Sequence, residues 1–273
     1  MSEKKTELQK QIECIDVELY NLLMKRTDLV KKNSSSVKIQ NILGQEAMGI
    51  RRMLKHHTGA FPEYVVAKIW REILSVSASL NEKLKIAVYG DEKDSSLVYR
   101  VQEHFGSYID VSILGSFSQV FNMLSTKDAH LAIIPCDNMK MNIHPWWSSL
   151  SANKQKESLN IVAKLPFIRT KNITAENEAF VIACSPSDAS GIDNSLFSIE
   201  TGINVSNSSI SEAFSNMNFE EPKILISTNT EDSKYTLVEV KGFVDSEDKR
   251  LSDIPEIFKS LHLSGTYARP IEV

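Results

Sequence analysis

The sequence predicts a multidomain chain, with an all-α three-helix domain over residues 1–82, an α/β lobe over 83–190 and an α+β unit over 191–273. Three observations carry that reading. Residues 6–32 contain neither Gly nor Pro and repeat apolar side chains at helical steps. At Lys83 the period changes to short apolar runs alternating with helical segments, and beyond the loop 185–194 strands outnumber helices. A length of 273 residues suits two or three compact units.

In the first domain, Leu8, Ile12, Ile15, Leu19, Leu22 and Leu29 recur at steps of three, four and seven, the signature of a long amphipathic helix. The run Lys32-Asn33-Ser34-Ser35-Ser36 is weak in helix propensity and interrupts it. A second helix follows from about Ile42 to His56 with Leu43, Ile50, Met53 and Leu54 on one side, closed by Gly59. A third opens at Phe61-Pro62-Glu63 and runs to about Asn81, turning Val66, Ile69, Ile73, Val76 and Leu80 inward.

In the lobe, Lys85 to Gly90 reads as a buried strand, Ser95 to Phe105 as a helix, Val111 to Leu114 as a strand, Ser118 to Leu124 as a helix and His130 to Pro135 as a strand. That alternation predicts a mainly parallel sheet covered by helices, with further strands near Ile161 to Leu165 and Ala179 to Cys184. Trp146-Trp147 and the polar run to Asn160 read as a surface excursion, its Trp pair packing a loop onto the sheet or forming a ligand platform. The last unit offers strands at Leu196 to Glu200, Lys223 to Ser227, Tyr235 to Val244 and Gly265 to Ile271. With helices at Ile210 to Met217 and around Ile254 to Leu261, this is the β-α-β-β-α-β order of a ferredoxin-like unit.

Composition narrows the function. A net charge of −4 argues against nucleic acid as a partner, and the charged N-terminus together with the lack of a long apolar run argues against a membrane and for a cytoplasmic location. Cys14, Cys136 and Cys184 are far apart with no histidine at ligand spacing, so no metal is expected and the thiols read as small core residues. Gly90 stands alone after its strand and predicts no nucleotide site, and His56-His57 sits at a helix end where an imidazole suits the dipole.

The informative residues break the apolar pattern. Arg26 fills the gap in the first helix's series, Glu46 lies between Leu43 and Ile50, and Ser77 lies four residues after Ile73. Three polar groups on inward stripes need partners, because a buried unpaired charge costs several kcal/mol, on the order of a whole protein's stability. Spacing alone leaves two readings open: a buried Arg26–Glu46 salt bridge, or a site for an anionic ligand. Arg51 and Arg52 read as solvated on the helix surface.

The segment Leu8 to Asp16 with Leu19, Leu22-Leu23 and Arg26 resembles the opening helix of the all-helical (AroQ-type) chorismate mutases. Gln45-Glu46-Ala47 and Ile69-Trp70-Arg71-Glu72-Ile73 with Ser77 resemble that family's second and third helices. The resemblance implies a homodimer intertwined through the N-terminal helices, rearranging chorismate to prephenate without cofactor. The reaction is pericyclic, so it needs oriented substrate and stabilised charge rather than a nucleophile. By resemblance Arg26 binds a substrate carboxylate, Glu46 holds the ring hydroxyl and Ser77 supports a carboxylate. The family's first-helix arginine falls on Gln9, its lysine on Val37 or, with a one-residue shift, Lys38, the arginine before the glutamate on Gln45, and the third-helix glutamine on Asn81. Losing one charge-assisted contact to a buried anion costs roughly 2–4 kcal/mol, or about 30- to 1000-fold in rate. These substitutions predict reduced activity, with the alternative of a binding or regulatory protein that senses an aromatic metabolite or pairs with a pathway enzyme.

Ser116 to Phe121 followed by Leu131 to Pro135 resembles part of the prephenate dehydratase core, a periplasmic-binding-like lobe, and Tyr235 to Phe243 with Ser264-Gly265-Thr266-Tyr267 resembles half of an ACT domain. Glu178-Ala179-Phe180 stands where that family has Thr-Arg-Phe, so no dehydratase activity is expected.

Overall fold

A computed structural model of the chain describes residues 6–33, 42–80, 82–91, 93, 95–136, 145–150, 158–170 and 178–273. Helix α1 (Glu7–Asn33) spans 27 residues, about 40 Å at 1.5 Å per residue. Its start is closed by a reciprocal pair: Gln9 donates its backbone N–H to Thr6 Oγ1 at 3.3 Å, and Thr6 donates its own to Gln9 Oε1 at 2.8 Å. The apolar series predicted to face inward does not. Leu8, Ile12, Ile15, Leu19, Leu22 and Leu29 are each at least half exposed, and Cys14, expected in a core, is exposed as well.

Helices α2 (Ile42–Lys55) and α3 (Glu63–Ala78) pack together, Pro62 standing at the N-cap of α3. The buried stripe of α3 is Ala67, Arg71 and Ser75, whereas Ile69 of the expected inward stripe is exposed. The helix carries two faces. The more polar one turns inward because it meets matching groups: Arg71 finds Glu46, and Ser75 donates to the Phe105 carbonyl. Ala47, Ile50 and Ala67 close around Phe167, seating the pair of helices on the rest of the chain. Arg51, expected in solvent, is half-buried and donates to Ser190 Oγ at 2.9 Å and to the carbonyls of Ile192 and Arg269 at 2.9 and 2.7 Å.

Then follow β1 (Leu84–Tyr89), α4 (Ser95–Phe105), β2 (Ile109–Leu114), α5 (Phe117–Ser125), β3 (Leu131–Pro135), a 3-10 turn at Trp146–Leu150, β4 (Asn160–Leu165), β5 (Ile168–Arg169) and β6 (Ala179–Ala183). The C-terminal part adds β7 (Asp193–Gly202), α6 (Asn207–Asn216), β8 (Glu220–Asn229), β9 (Ser233–Lys241), β10 (Phe258–Ala268) and β11 (Ile271–Glu272). Strands β5 and β11 form a separate parallel pair.

The other strands form one nine-stranded sheet in the order β2-β1-β3-β6-β4-β10-β7-β9-β8. It is mixed rather than mainly parallel. Strand β1 runs parallel to β2 and β3, β6 runs antiparallel to β3 and β4, and β7, β9 and β8 pair antiparallel. Helix α4 packs Leu97, Val101 and Phe105 on one face, over Ile86, Val88 and Ile133. Helix α5 packs Val120 and Leu124 on the other, where Trp146 and Trp147 are buried with Ala132 and Phe180. The Trp pair therefore packs its loop onto the sheet; the polar run beyond it, 151–157, lies outside the described residues.

The sheet runs without a break past position 191. Gly265 of β10 pairs with Ile161 of β4, and Leu196, Leu237 and Tyr267 share the core that holds Trp147. Gly265 sits at φ +144° against the Ile161 backbone, where a Cβ would overlap the Ile161 carbonyl oxygen. The helix expected over residues 254–261 is absent. A 3-10 turn at Lys249–Leu251 precedes β10, whose bulge between Phe258 and Ser260 puts Phe258 and Leu261 into the same core three residues apart. Bulged strand spacing thus imitates helical spacing. Among the described residues the C-terminal order is β-α-β-β-β-β, the last strand, β11, pairing with β5 outside the large sheet.

Candidate functional site

Arg26 of α1, half-buried, donates Nη1 to Ser77 Oγ of α3, and Ser77 in turn donates to the Ile73 carbonyl one turn earlier. This contact ties the exposed α1 to the seated pair of helices. Two of the three predicted polar groups therefore meet each other.

Glu46 meets a residue the sequence reading gave no role. Its Oε2 accepts from Arg71 Nη1 at 2.6 Å, and the two residues are only 5% and 4% exposed. Of the two readings of the inward charges, the salt bridge is present with Arg71 in place of Arg26. Burial holds the Glu46 carboxyl above its usual range, with Arg71 and, more weakly, Arg26 pulling it down, so both cations act on this carboxylate. Burial likewise lowers Arg71, opposed by Glu46. Desolvation weighs on both partners, as expected of an ion pair taken out of water. Arg71 Nε is also buried without a hydrogen-bond partner, a cost of about 1–3 kcal/mol for a polar donor. The signal that could have found Arg71 is the stripe Ala67, Arg71, Ser75, Ser79 at steps of four, which carries too few apolar residues to read as an inward face.

The remaining predicted positions are dispersed. Gln9 is exposed and occupied in the α1 cap, and Gln45 is exposed beside Glu46. Lys38 and Asn81 lie outside the described residues. His57, at the end of α2, sits 2.6 Å from the Phe61 carbonyl and braces the turn into α3.

Glu178, at the position compared with a catalytic threonine, is bound on both sides: Lys164 Nζ lies 3.1 Å and Arg169 Nη2 2.6 Å from its carboxylate. Lys164 also lies 4.0 Å from Glu239, which accepts from the Tyr267 hydroxyl. Burial and the Glu239 charge push that phenol well above its usual range, so it stays a donor. A carboxylate fixed between two cations offers a structural link between β4, β5 and β6 and no free nucleophile. Among the described residues no group of His, Cys, Asp and Glu is arranged to hold a metal, and no described helix is long and apolar enough to cross a membrane.

No family model matches the chain. It is 29% identical over 145 residues to the bifunctional chorismate mutase/prephenate dehydratase of Aquifex aeolicus, a match that takes in 50% of this chain and 40% of that protein. Among solved structures, a quorum-quenching acylase, GqqA, aligns with TM-score 0.44 at 13% identity over 67% of this chain and 94% of its own. A prephenate dehydratase of Arthrobacter aurescens in complex with L-Phe aligns with TM-score 0.46 at 9% identity over 68% and 90%. The sequence match relates the chain to a two-activity enzyme of chorismate and prephenate chemistry.

Proposed function

We propose that the helical module binds chorismate and rearranges it to prephenate, without cofactor, in a homodimer whose second copy covers α1. The observation that carries this reading is the Arg26–Ser77 pair beside the buried Glu46, on helices whose outer apolar face is open. Arg26 is half-exposed and can exchange Ser77 for a substrate carboxylate, with Ser77 left to support the same group. Glu46, gripped by Arg71, presents its second oxygen to the ring hydroxyl. Lys38, following α1, and Asn81, following α3, belong to the proposed set, and Gln9 and Gln45 supply neutral contacts where charge would bind more tightly. The 29% match to a chorismate mutase/prephenate dehydratase supports the substrate class. The three-helix module over residues 1–82 is proposed as the catalytic domain.

The test is the loss of chorismate absorbance with the purified full chain. Turnover that falls about 30- to 1000-fold in Arg26→Ala supports the assignment, on the scale of one lost charge-assisted contact. No turnover, or turnover unchanged in Arg26→Ala, overturns it. A second reading, a binding protein that senses an aromatic metabolite, is favoured by two observations: Arg71 already occupies Glu46, and Gln9 is spent on a cap. Heat of binding on titrating prephenate into the chain, with no turnover of chorismate, would select it.

A further inference from the structure

Between α3, α4 and the turn that follows β4 lies a cavity of about 370 Å³. It is separate from the Arg26–Ser77 contact, neither residue of which lines it. Its walls are apolar where the sheet and α4 contribute, with Val88, Leu97, Val101, Ile133 and Leu165, and Phe167 adds an aromatic face. A dry apolar cavity of about 150 Å³ is enough to hold benzene, so a ring with a short chain fits this one. The charges around it are matched within the protein. Arg71 is paired with Glu46 at 2.6 Å, and its Nε is sealed from the cavity. Lys68 is paired at 2.6 Å with Glu103, which also accepts from the Tyr64 hydroxyl, and Arg100 is likewise partnered. A charged ligand would leave water without an uncommitted counter-charge to meet it, so the cavity suits an uncharged one.

His104 of α4 is the polar group left over. It lines the cavity at only 7% exposure, and its ring meets those of Phe105 and Phe167 edge-on, with centroids 4.6 and 6.4 Å away. No described residue hydrogen-bonds its ring nitrogens and, unlike Arg71 Nε, neither of them is sealed. Tyr99 stands 66% exposed at the rim, and Thr170 is half-buried. Among the described wall residues His104 is therefore the polar side chain that is both nine-tenths buried and without a hydrogen bond. Burial first and the Arg71 charge second hold the imidazole neutral, so it carries one N–H and one bare nitrogen that can accept.

We infer that this cavity binds a small uncharged phenol, its hydroxyl donating to a ring nitrogen of His104 and its ring lying among Phe167 and the apolar walls, between the helical module and the sheet. The hydroxyl satisfies the one buried group that lacks a partner, and the ring supplies contacts to the walls. A phenol is more acidic than an aliphatic alcohol and so is the stronger donor to a bare imidazole nitrogen. Its methyl ether has the same ring and no proton to donate. A benzoate of the same shape brings a charge that the matched ion pairs leave unmet. The inference is independent of chorismate turnover.

Calorimetric titration of the full chain with 4-propylphenol, 4-propylanisole and 4-propylbenzoate tests it. The phenol is expected to bind, with the ether weaker by about threefold to tenfold, the scale of one neutral hydrogen bond. The benzoate is expected to be weaker by about tenfold or more. His104→Phe keeps a ring of similar size without the nitrogens, and is expected to bring the phenol down to the level of the ether while the ether changes by no more than about twofold. Leu97→Trp fills the cavity from another position of α4, weakening phenol and ether alike by about tenfold or more, and keeps the site testable if His104→Phe unfolds. No binding of the phenol at millimolar concentration, equal binding of phenol and ether to the unmodified chain, a phenol preference that survives in folded His104→Phe, or binding unchanged in folded Leu97→Trp overturns the inference.

Discussion

Arg71 of α3 donates to Glu46 of α2 at 2.6 Å across a contact sealed from solvent. The pair fixes the α2–α3 packing in a way the apolar residues alone would not, because each charge is tolerable only where the other meets it. Removing one partner is therefore worse than removing both. Arg71→Leu is expected to cost about 3–5 kcal/mol by leaving Glu46 buried and uncompensated, Glu46→Gln less, and the double variant less than the sum of the singles. Urea unfolding of the four proteins checks this; additive losses would mean that the two residues do not act as a pair.

His104 makes stability depend on pH. It is buried on α4, and its folded pKa lies well below the ordinary 6.5 because of burial first and the Arg71 charge second. As pH falls through about 6.5 the unfolded chain takes up a proton that the folded chain refuses. Stability should then drop with a slope of up to about 1.4 kcal/mol per pH unit, until the folded pKa is reached, and this contribution should be flat above pH about 7.5. His104→Gln removes that part of the slope. An unchanged slope in the variant between pH 5 and pH 7, both roughly within the window set by the histidine reference value, would refute the assignment.

Gly265 is required where β10 joins β4. At φ +144°, with the Ile161 backbone against it, the position admits neither the conformation nor the volume of a side chain. Gly265→Ala is expected to cost about 2–5 kcal/mol, combining backbone strain with overpacking. Thermal unfolding measures it, and a loss within about 0.5 kcal/mol, the range of ordinary surface changes, would rule out the close approach as a constraint.

How much of this was legible in the sequence depended on whether a residue's partner lay nearby in the chain. The helix Ser95–Phe105 and the strands around Leu131–Pro135 and Ala179–Ala183 follow from local pattern, which their tertiary surroundings do not contradict. The predicted helix over 254–261 did not form, because a bulge in β10 spaces Phe258 and Leu261 as a helix would. At the candidate site, Arg26, Glu46 and Ser77 stand out as polar residues on apolar stripes. Their pairing does not, since Arg71 competes for Glu46 from a face that looks solvent-facing in sequence. The bonds of Arg51 to Ser190, Ile192 and Arg269 join residues more than a hundred positions apart and leave no local trace.

The exposed face of α1 gives the last prediction. Six Leu and Ile side chains along about 32 Å of helix are each at least half in water, although burying one is worth roughly 1.5–3 kcal/mol. Such a stripe is rarely left open in a stable monomer. A second copy would cover it, α1 lying against the half-exposed Val66, Ile73 and Val76 face of its partner's α3. Leu19→Glu with Leu22→Glu places charges in the middle of that stripe while removing no contact on which α2, α3 or the sheet depend. The variant is expected to sediment as a folded monomer where the unmodified chain sediments as a dimer, and to lose chorismate turnover with the dimer. If the unmodified chain sediments as a monomer at micromolar concentration, or the variant remains a dimer, α1 is not the interface. Were turnover to survive in the monomer, the site would be complete within one chain, and Arg26 would act on substrate without the partner's help.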